Sequence, residues 1–237
     1  MTDFPFDIVG FDLDGTLFDT SPDLAAAANH ALELVGRPPL TLDAIRPMIG
    51  RGAKHMLERG LEASGGLDPD TMQRAYPALL EFYEANLTRG TTPFPGLIAA
   101  LDDLESRGVK IAIVTNKFER FAVKLVAELA LHHRFACVIG GDTMGKGNAK
   151  PSAAPINEMI ARCGGGRAAF VGDSIYDILA AKNAGIPSVA VSFGFLMQPG
   201  EELGADAVVD GDDELVPALI RLGDIPSATS STNAAPA

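Results

Sequence analysis

Short apolar runs alternate with helix-forming stretches along most of this chain, and that alternation limits the fold more than any other feature. Ile8-Val9-Gly10-Phe11 and residues 109–114, 137–139, 168–171, 188–191 and 207–209 are almost continuously apolar. Such runs fit strands buried on both faces, since a half-exposed strand would alternate polar and apolar residues. Helical stretches separate them, at residues 97–106, 118–130, 150–162, 175–183 and 213–222. Regular alternation of this kind predicts an α/β fold, a Rossmann-like parallel sheet covered by helices on both faces.

One long stretch breaks the rhythm. Ser21-Pro22-Asp23 reads as a helix start, with Ser at the N-cap and Pro at the first helical position. From there to about Leu87 the text is helical throughout, with turn signals at Gly36, Gly50-Arg51-Gly52 and Gly65-Gly66. A helical block between strand-rich segments predicts an inserted second domain. The expected division is 1–19 and 90–224 as the α/β core, 20–89 as a small all-helical domain inserted after the first strand, and 225–237 as a disordered tail of small and polar residues. With 237 residues, 47% of them hydrophobic, the chain is long enough for one large core and a smaller one.

Open α/β sheets bind ligands beyond the carboxyl ends of their strands, so the residues there matter most. Asp12-Leu13-Asp14-Gly15-Thr16 follows the first apolar run. Two carboxylates two residues apart can divide the labour, one as nucleophile or metal ligand and the other as general acid/base. Alone, the motif reads first as an acidic turn, because Asp and Gly are ordinary turn residues. Later strand ends supply what it lacks. Thr115 and Asn116 follow the run 109–114, Lys150 opens a helix after the next, and Asp173 and Asp177 follow the one after that. Three carboxylates brought to one point repel unless a divalent cation joins them, and hard oxygen ligands suit Mg²⁺. Lys150 would place a compact positive charge beside the nucleophile and the phosphoryl oxygens. Thr115 offers a hydroxyl next to backbone N–H groups that favour an anion, so Thr115 and Asn116 are expected, with Lys150, to bind substrate. Asp173 and Asp177, four apart, share one face where loop becomes helix.

In this order the motifs resemble the haloacid dehalogenase superfamily of aspartate-nucleophile hydrolases. They are Asp12-Leu13-Asp14-Gly15-Thr16, an apolar strand ending in Thr115-Asn116, Lys150-Pro151, and Gly172-Asp173-Ser174-Ile175-Tyr176-Asp177. The resemblance spans about residues 6–222. It implies that Asp12 attacks phosphorus to form an aspartyl-phosphate, and that Asp14 protonates the leaving oxygen and then activates the hydrolytic water. It also implies that Asp12, the backbone carbonyl of Asp14 and Asp173 hold Mg²⁺, with Asp177 in support. Residues 15–19 would form a mobile flap below a helical cap.

The second acid separates the chemistries of this superfamily. Dehalogenases usually lack it, and phosphonatases replace it and place a Schiff-base lysine in the cap, so Asp14 argues for a phosphoester. Lys54 is then a surface or substrate-contact lysine, and His55 and His132-His133 receive no role. Arg51, in the loop Gly50-Arg51-Gly52, could grip a substrate carboxylate with its fork of donors. Within the superfamily the chain most resembles the phosphoglycolate phosphatases, through Asp19-Thr20-Ser21-Pro22-Asp23-Leu24, Gly50-Arg51-Gly52 and the segment 173–177. Two departures stand out: Ser152 follows Pro151 where many relatives soon place a second proline, and Ser192-Phe193-Gly194-Phe195 replaces their Gly-Tyr. Sugar-phosphate phosphatases and phosphomutases share the same motifs and remain alternatives, with phosphonatases and a catalytically silent binding protein further off.

Composition narrows the partners. The net charge is −12, without a basic stripe, which argues against nucleic acid and anionic membranes. Cys137 and Cys163 give no disulfide framework and no metal-ligand spacing. No apolar run approaches a membrane span, and the acidic, proline-broken start is no signal peptide. The expected setting is cytoplasmic, with a small phosphorylated metabolite as partner and a monomer or homodimer as the assembly.

Overall fold

The computed structural model describes residues 4–195 and 198–223; the tail expected at 225–237 lies outside them. Six strands form one parallel sheet: β1 (Ile8–Phe11), β4 (Lys110–Val114), β5 (Val138–Ile139), β6 (Ala168–Gly172), β7 (Ser188–Val191) and β8 (Ala207–Val209). Their order is β5-β4-β1-β6-β7-β8. β1 is central, with Ile8 opposite Lys110 on one side and Ala168 on the other. Every residue of β1, β6 and β7 is buried, as strands covered on both faces must be.

The two faces bury alternate residues of the same strands. Val9, Phe11, Ile111, Ile113, Ala169 and Val171 pack against α5 (Leu97–Ser106), α6 (Glu119–Glu128) and α9 (Leu215–Gly223). Ile8, Ala112, Val114 and Phe170 face α7 (Ala154–Arg162) and α8 (Ile175–Ala184). Gly10 is glycine for a packing reason: a Cβ there would run into the sulfur of Met159 and come within 2.8 Å of the Phe170 ring.

The helical stretch leaves the sheet after β1 and returns before α5. Its helices are α1 (Ser21–Leu34), α2 (Leu42–Ile45), α3 (Ala53–Ser64) and α4 (Pro69–Ala85). They enclose a separate apolar cluster around Leu32, Ile45, Leu57, Leu79 and Tyr83. Asp68 caps α4, accepting the Thr71 N–H at 2.8 Å, with Pro69 at the first helical position.

A short ribbon that sequence reasoning missed joins insert and sheet. β2 (Phe18–Asp19) and β3 (Thr92–Pro93) pair antiparallel, so the outgoing and returning chains lie side by side. Asp23 ties them further: its carboxylate accepts the backbone N–H groups of Gly90 and Thr91 and the Thr91 hydroxyl. From the insert, Arg46 donates to Asp19 at 3.3 Å and to the Ser21 hydroxyl at 3.1 Å. Within the segment expected as a flap, residues 15–17 form a turn and Phe18–Asp19 a hydrogen-bonded strand. The start of α1 also differs from expectation. Thr20, not Ser21, is the N-cap, and Asp19 from outside the helix accepts both the Ser21 N–H and the Ser21 hydroxyl.

Candidate active site

Four strand ends converge above the middle of the sheet. Asp12 and Asp14 follow β1, Thr115 to Lys117 follow β4, Lys150 follows β5, and Asp173 follows β6 with Asp177 in the first turn of α8. Because β4 and β6 flank β1, residues far apart in sequence meet there. Lys150 lies before α7, which begins only at Ala154, rather than opening that helix.

Asp12, Asp173 and Asp177 are all buried, and an oxygen from each lies within 4.8 Å of the others. Lys150 Nζ stands 2.9 Å from Asp12 Oδ1 and 2.5 Å from Asp177 Oδ1. Asp177 is fixed a second way by a capping box, its other oxygen accepting the Ser174 N–H at 2.9 Å and the Ser174 hydroxyl at 2.5 Å. Asp173 accepts the Phe195 N–H at 2.6 Å. Asp177, expected only in support, is thus an equal member of the cluster, whereas the Asp14 side chain stands outside it.

Such crowding disturbs titration. Burial is the main cause that pushes Asp12 up to about 7; Asp177 and Asp14 add to it, and Lys150 opposes it. Burial, then the charges of Asp177 and Asp12, push Asp173 well above the ordinary carboxylate range. Burial works against the Lys150 ammonium, but Asp12 and Asp177 outweigh it and raise its pKa. Three carboxylates against one ammonium leave a formal surplus of two negative charges, which a divalent cation would match. The donors are hard oxygens, so the residues present suit Mg²⁺.

Asp14 has a partner that sequence reasoning overlooked. Lys117 Nζ donates to both of its oxygens, at 2.7 Å and 2.8 Å, and the Thr20 hydroxyl donates to Oδ1 at 2.6 Å. Lys117 is buried and also lies 4.8 Å from the centre of the Tyr83 ring. Burial disfavours its charge, but Asp14 more than compensates and raises its pKa. A lysine directly after Thr115-Asn116, at a strand end crowded with acids, was the available signal.

Thr115 is buried, and its Oγ1 accepts the Lys117 N–H at 3.2 Å. Asn116, expected to bind substrate, spends its amide donors on the carbonyls of Gly50 at 3.0 Å and Lys150 at 3.2 Å. Of its side chain the buried, unpartnered Oδ1 is left, an acceptor, so a contact from Asn116 to a phosphate would come from its backbone N–H. Asn116 therefore ties the insert's Gly50 loop to the sheet. Arg51 sits 5.3 Å over the Tyr176 ring, and Lys54 is exposed beside Glu58 at 3.8 Å. Burial, helped by Arg51, lowers the pKa of His55.

Part of this set, Asp12, Asp14, Thr115 to Lys117 and Lys150 but not Asp173 or Asp177, lines a cavity of about 630 Å³ between insert and sheet. Asp12, Asp14, Lys117 and Lys150 form its floor, Arg51 and Lys54 stand on the insert side, and Lys146 lies on the loop after β5. Ile49, Met56, Tyr76, Phe118 and Phe121 add an apolar wall. Among the described residues no helix is long and apolar enough to cross a membrane.

The chain is similar to known proteins along nearly its whole length. It is 41% identical over 217 residues to the phosphoglycolate phosphatase of Caulobacter vibrioides, covering 90% of this chain and 91% of that one. It is 40% identical over 214 residues to that of Agrobacterium fabrum, covering 89% and 91%. The crystal structure of a predicted phosphoglycolate phosphatase from Haemophilus somnus 129PT superposes with a TM-score of 0.83 at 28% identity, covering 90% of this chain and 97% of the other. Residues 9–191 match the family described as haloacid dehalogenase-like hydrolase. That match runs from within β1 to the end of β7 and takes in every strand end that builds the site, so the chain belongs to the haloacid dehalogenase-like hydrolases.

Proposed function

We propose that this hydrolase is a Mg²⁺-dependent phosphomonoester phosphatase acting on a small carboxylated phosphate, with 2-phosphoglycolate as the favoured substrate. The observation that carries the reading is the division of the acids. Asp12 lies in the buried cluster beside Lys150, while Asp14, two residues on, is held apart by Lys117 and Thr20. One carboxylate is placed as nucleophile, and the other keeps a separate environment for proton transfer. The relatives' names supply the substrate.

On this reading an Asp12 oxygen forms a bond to phosphorus as the ester P–O bond breaks, giving an aspartyl-phosphate and an alcohol whose oxygen takes its proton from Asp14. Asp14 then accepts a proton from the water that attacks the phosphoryl group, releasing phosphate and restoring Asp12. Oδ1 of Asp14 serves both Thr20 and Lys117, whereas Oδ2 serves Lys117 alone. Oδ2 is therefore the oxygen with a lone pair left for the proton. Lys150 and the Thr115 hydroxyl face the transferring phosphoryl group. Asp12, Asp173 and Asp177, with the Asp14 backbone carbonyl, would hold the cation. When bound, Mg²⁺ supplies positive charge to the carboxylates and the phosphoryl oxygens.

Residues 20–89 serve as a cap on the cavity, and Arg51 on their loop meets the substrate carboxylate. Release of phosphate from 2-phosphoglycolate tests the reading, with hexose phosphates and nucleoside monophosphates in parallel and organic products identified. Activity should vanish in Asp12→Asn and in chelator; full turnover in both would overturn it.

A further inference from the structure

Among the described residues, Asp173 is the one of the three clustered carboxylates that no lysine or arginine reaches at ion-pair distance. Asp12 and Asp177 share Lys150, whereas among the described residues the one hydrogen-bond donor to the Asp173 carboxylate is the backbone N–H of Phe195. That N–H belongs to the loop after β7, where Ser192-Phe193-Gly194-Phe195 departs from the Gly-Tyr of many relatives.

The loop is pressed against its target. A Cβ on Gly194 would run into the Asp173 side chain and the Gly15 carbonyl. A Cβ on Gly15 would strike the Asp173 carboxylate and come within 3.0 Å of the Phe195 ring. Gly15, Asp173, Gly194 and Phe195 therefore form a block with no slack, in which a shift of one moves the others. The Phe195 ring, 8% exposed, lies beside Gly15 and also reaches beyond the site. It joins the apolar cluster built by the helical insert, with Leu24, Leu57 and Tyr83. One residue thus has its backbone on a site carboxylate and its side chain among the helices above.

We propose that Phe195 is a positioning residue that couples the seating of the helical insert to cation affinity at Asp173. With the insert seated, the ring is anchored, and the N–H holds Oδ2 of Asp173 in place. When the insert lifts, the ring loses its packing, and the loop no longer fixes that carboxylate. Linkage makes the effect reciprocal: a cation on the cluster favours the seated insert by the factor that seating favours the cation. The inference rests on the cation site proposed above.

The test is calorimetric titration of the full chain with MgCl₂, paired with backbone hydrogen exchange in α1. Asp173→Asn should lose Mg²⁺ binding. Phe195→Ala keeps the N–H but removes the anchor, and its Kd should rise about fivefold or more, within the usual range of such couplings. Phe195→Leu, which refills the apolar niche, should stay within about twofold of the wild type. In the wild type, MgCl₂ alone should slow exchange in Ser21–Leu34, and in Phe195→Ala that protection should be lost. Unchanged Mg²⁺ affinity in Phe195→Ala overturns the coupling while leaving the cation site intact. Wild-type affinity in Asp173→Asn overturns the cation site itself. Should Phe195→Ala fail to fold, exchange in wild-type α1 that ignores MgCl₂ still refutes the proposal.

Discussion

On the function proposed above, the surplus of negative charge at the strand ends should make stability depend jointly on pH and Mg²⁺. In the folded chain Asp12 is raised from 3.8 to about 7, and Asp173 is raised as well. An acid whose pKa is higher folded than unfolded binds more protons folded than unfolded. The metal-free protein therefore loses stability as pH rises from about 4 through about 7. For Asp12 the full span corresponds to on the order of 4 kcal/mol, shared with the neighbours that titrate alongside it. A cation on the proposed site would replace those protons. At 100 times its Kd it contributes about 2.7 kcal/mol, roughly 5–11 °C of Tm for a chain of this size. The assay is a thermal melt in chelator and in MgCl₂ at several pH values. Near pH 8 the Mg²⁺ shift should approach that range, and near pH 5, where protons already hold the acids, it should shrink toward zero. An Mg²⁺ shift equal at both pH values, or a chelated Tm that climbs across this window, would refute the reasoning.

Other perturbations probe separate parts of the site. Lys117→Met strips Asp14 of its charged partner and should cost about 3–5 kcal/mol of stability by denaturant melt, with phosphate release falling at least tenfold. Arg51→Ala should raise KM for a carboxylated phosphate about tenfold or more and leave that of an uncarboxylated ester within about twofold; steady-state kinetics on both esters decide it. Gly10→Ala, which drives a methyl into Met159, should lower stability by about 1–3 kcal/mol without altering KM.

The sheet was readable because burial on both faces leaves continuous apolar runs: β1, β4, β5, β7 and β8 each lie within such a run, and β6 exceeds its run only by Gly172. Residues at the strand ends were readable for a related reason, since polarity resuming after an apolar run marks where the chain leaves the sheet. What sequence could not give were contacts made by backbone or across the insert. The Phe195 N–H on Asp173 leaves no side-chain signature. Thr20 entered only as part of the motif Asp19-Thr20-Ser21, with no role of its own, yet its hydroxyl is spent on Asp14. Asn116 sits beside Thr115 at the strand end, but its amide turns to Gly50, a partner 66 residues away. The β2–β3 ribbon joins two-residue strands separated by the whole insert, too short for periodicity to show.

The ribbon has a structural corollary. Where the chain departs at Phe18–Asp19 and where it returns at Thr92–Pro93 are hydrogen-bonded neighbours, so to the sheet everything between them counts as one hairpin loop. Closing such a loop costs little more when it is long than when it is short. The helical portion can then grow, shrink or be exchanged while the register of β1 against β4 and β6 stays as it is. In that sense the sheet that carries Asp12 and the insert that carries Arg51 are separate lengths of chain, tied to each other through the ribbon, Asn116 and Phe195.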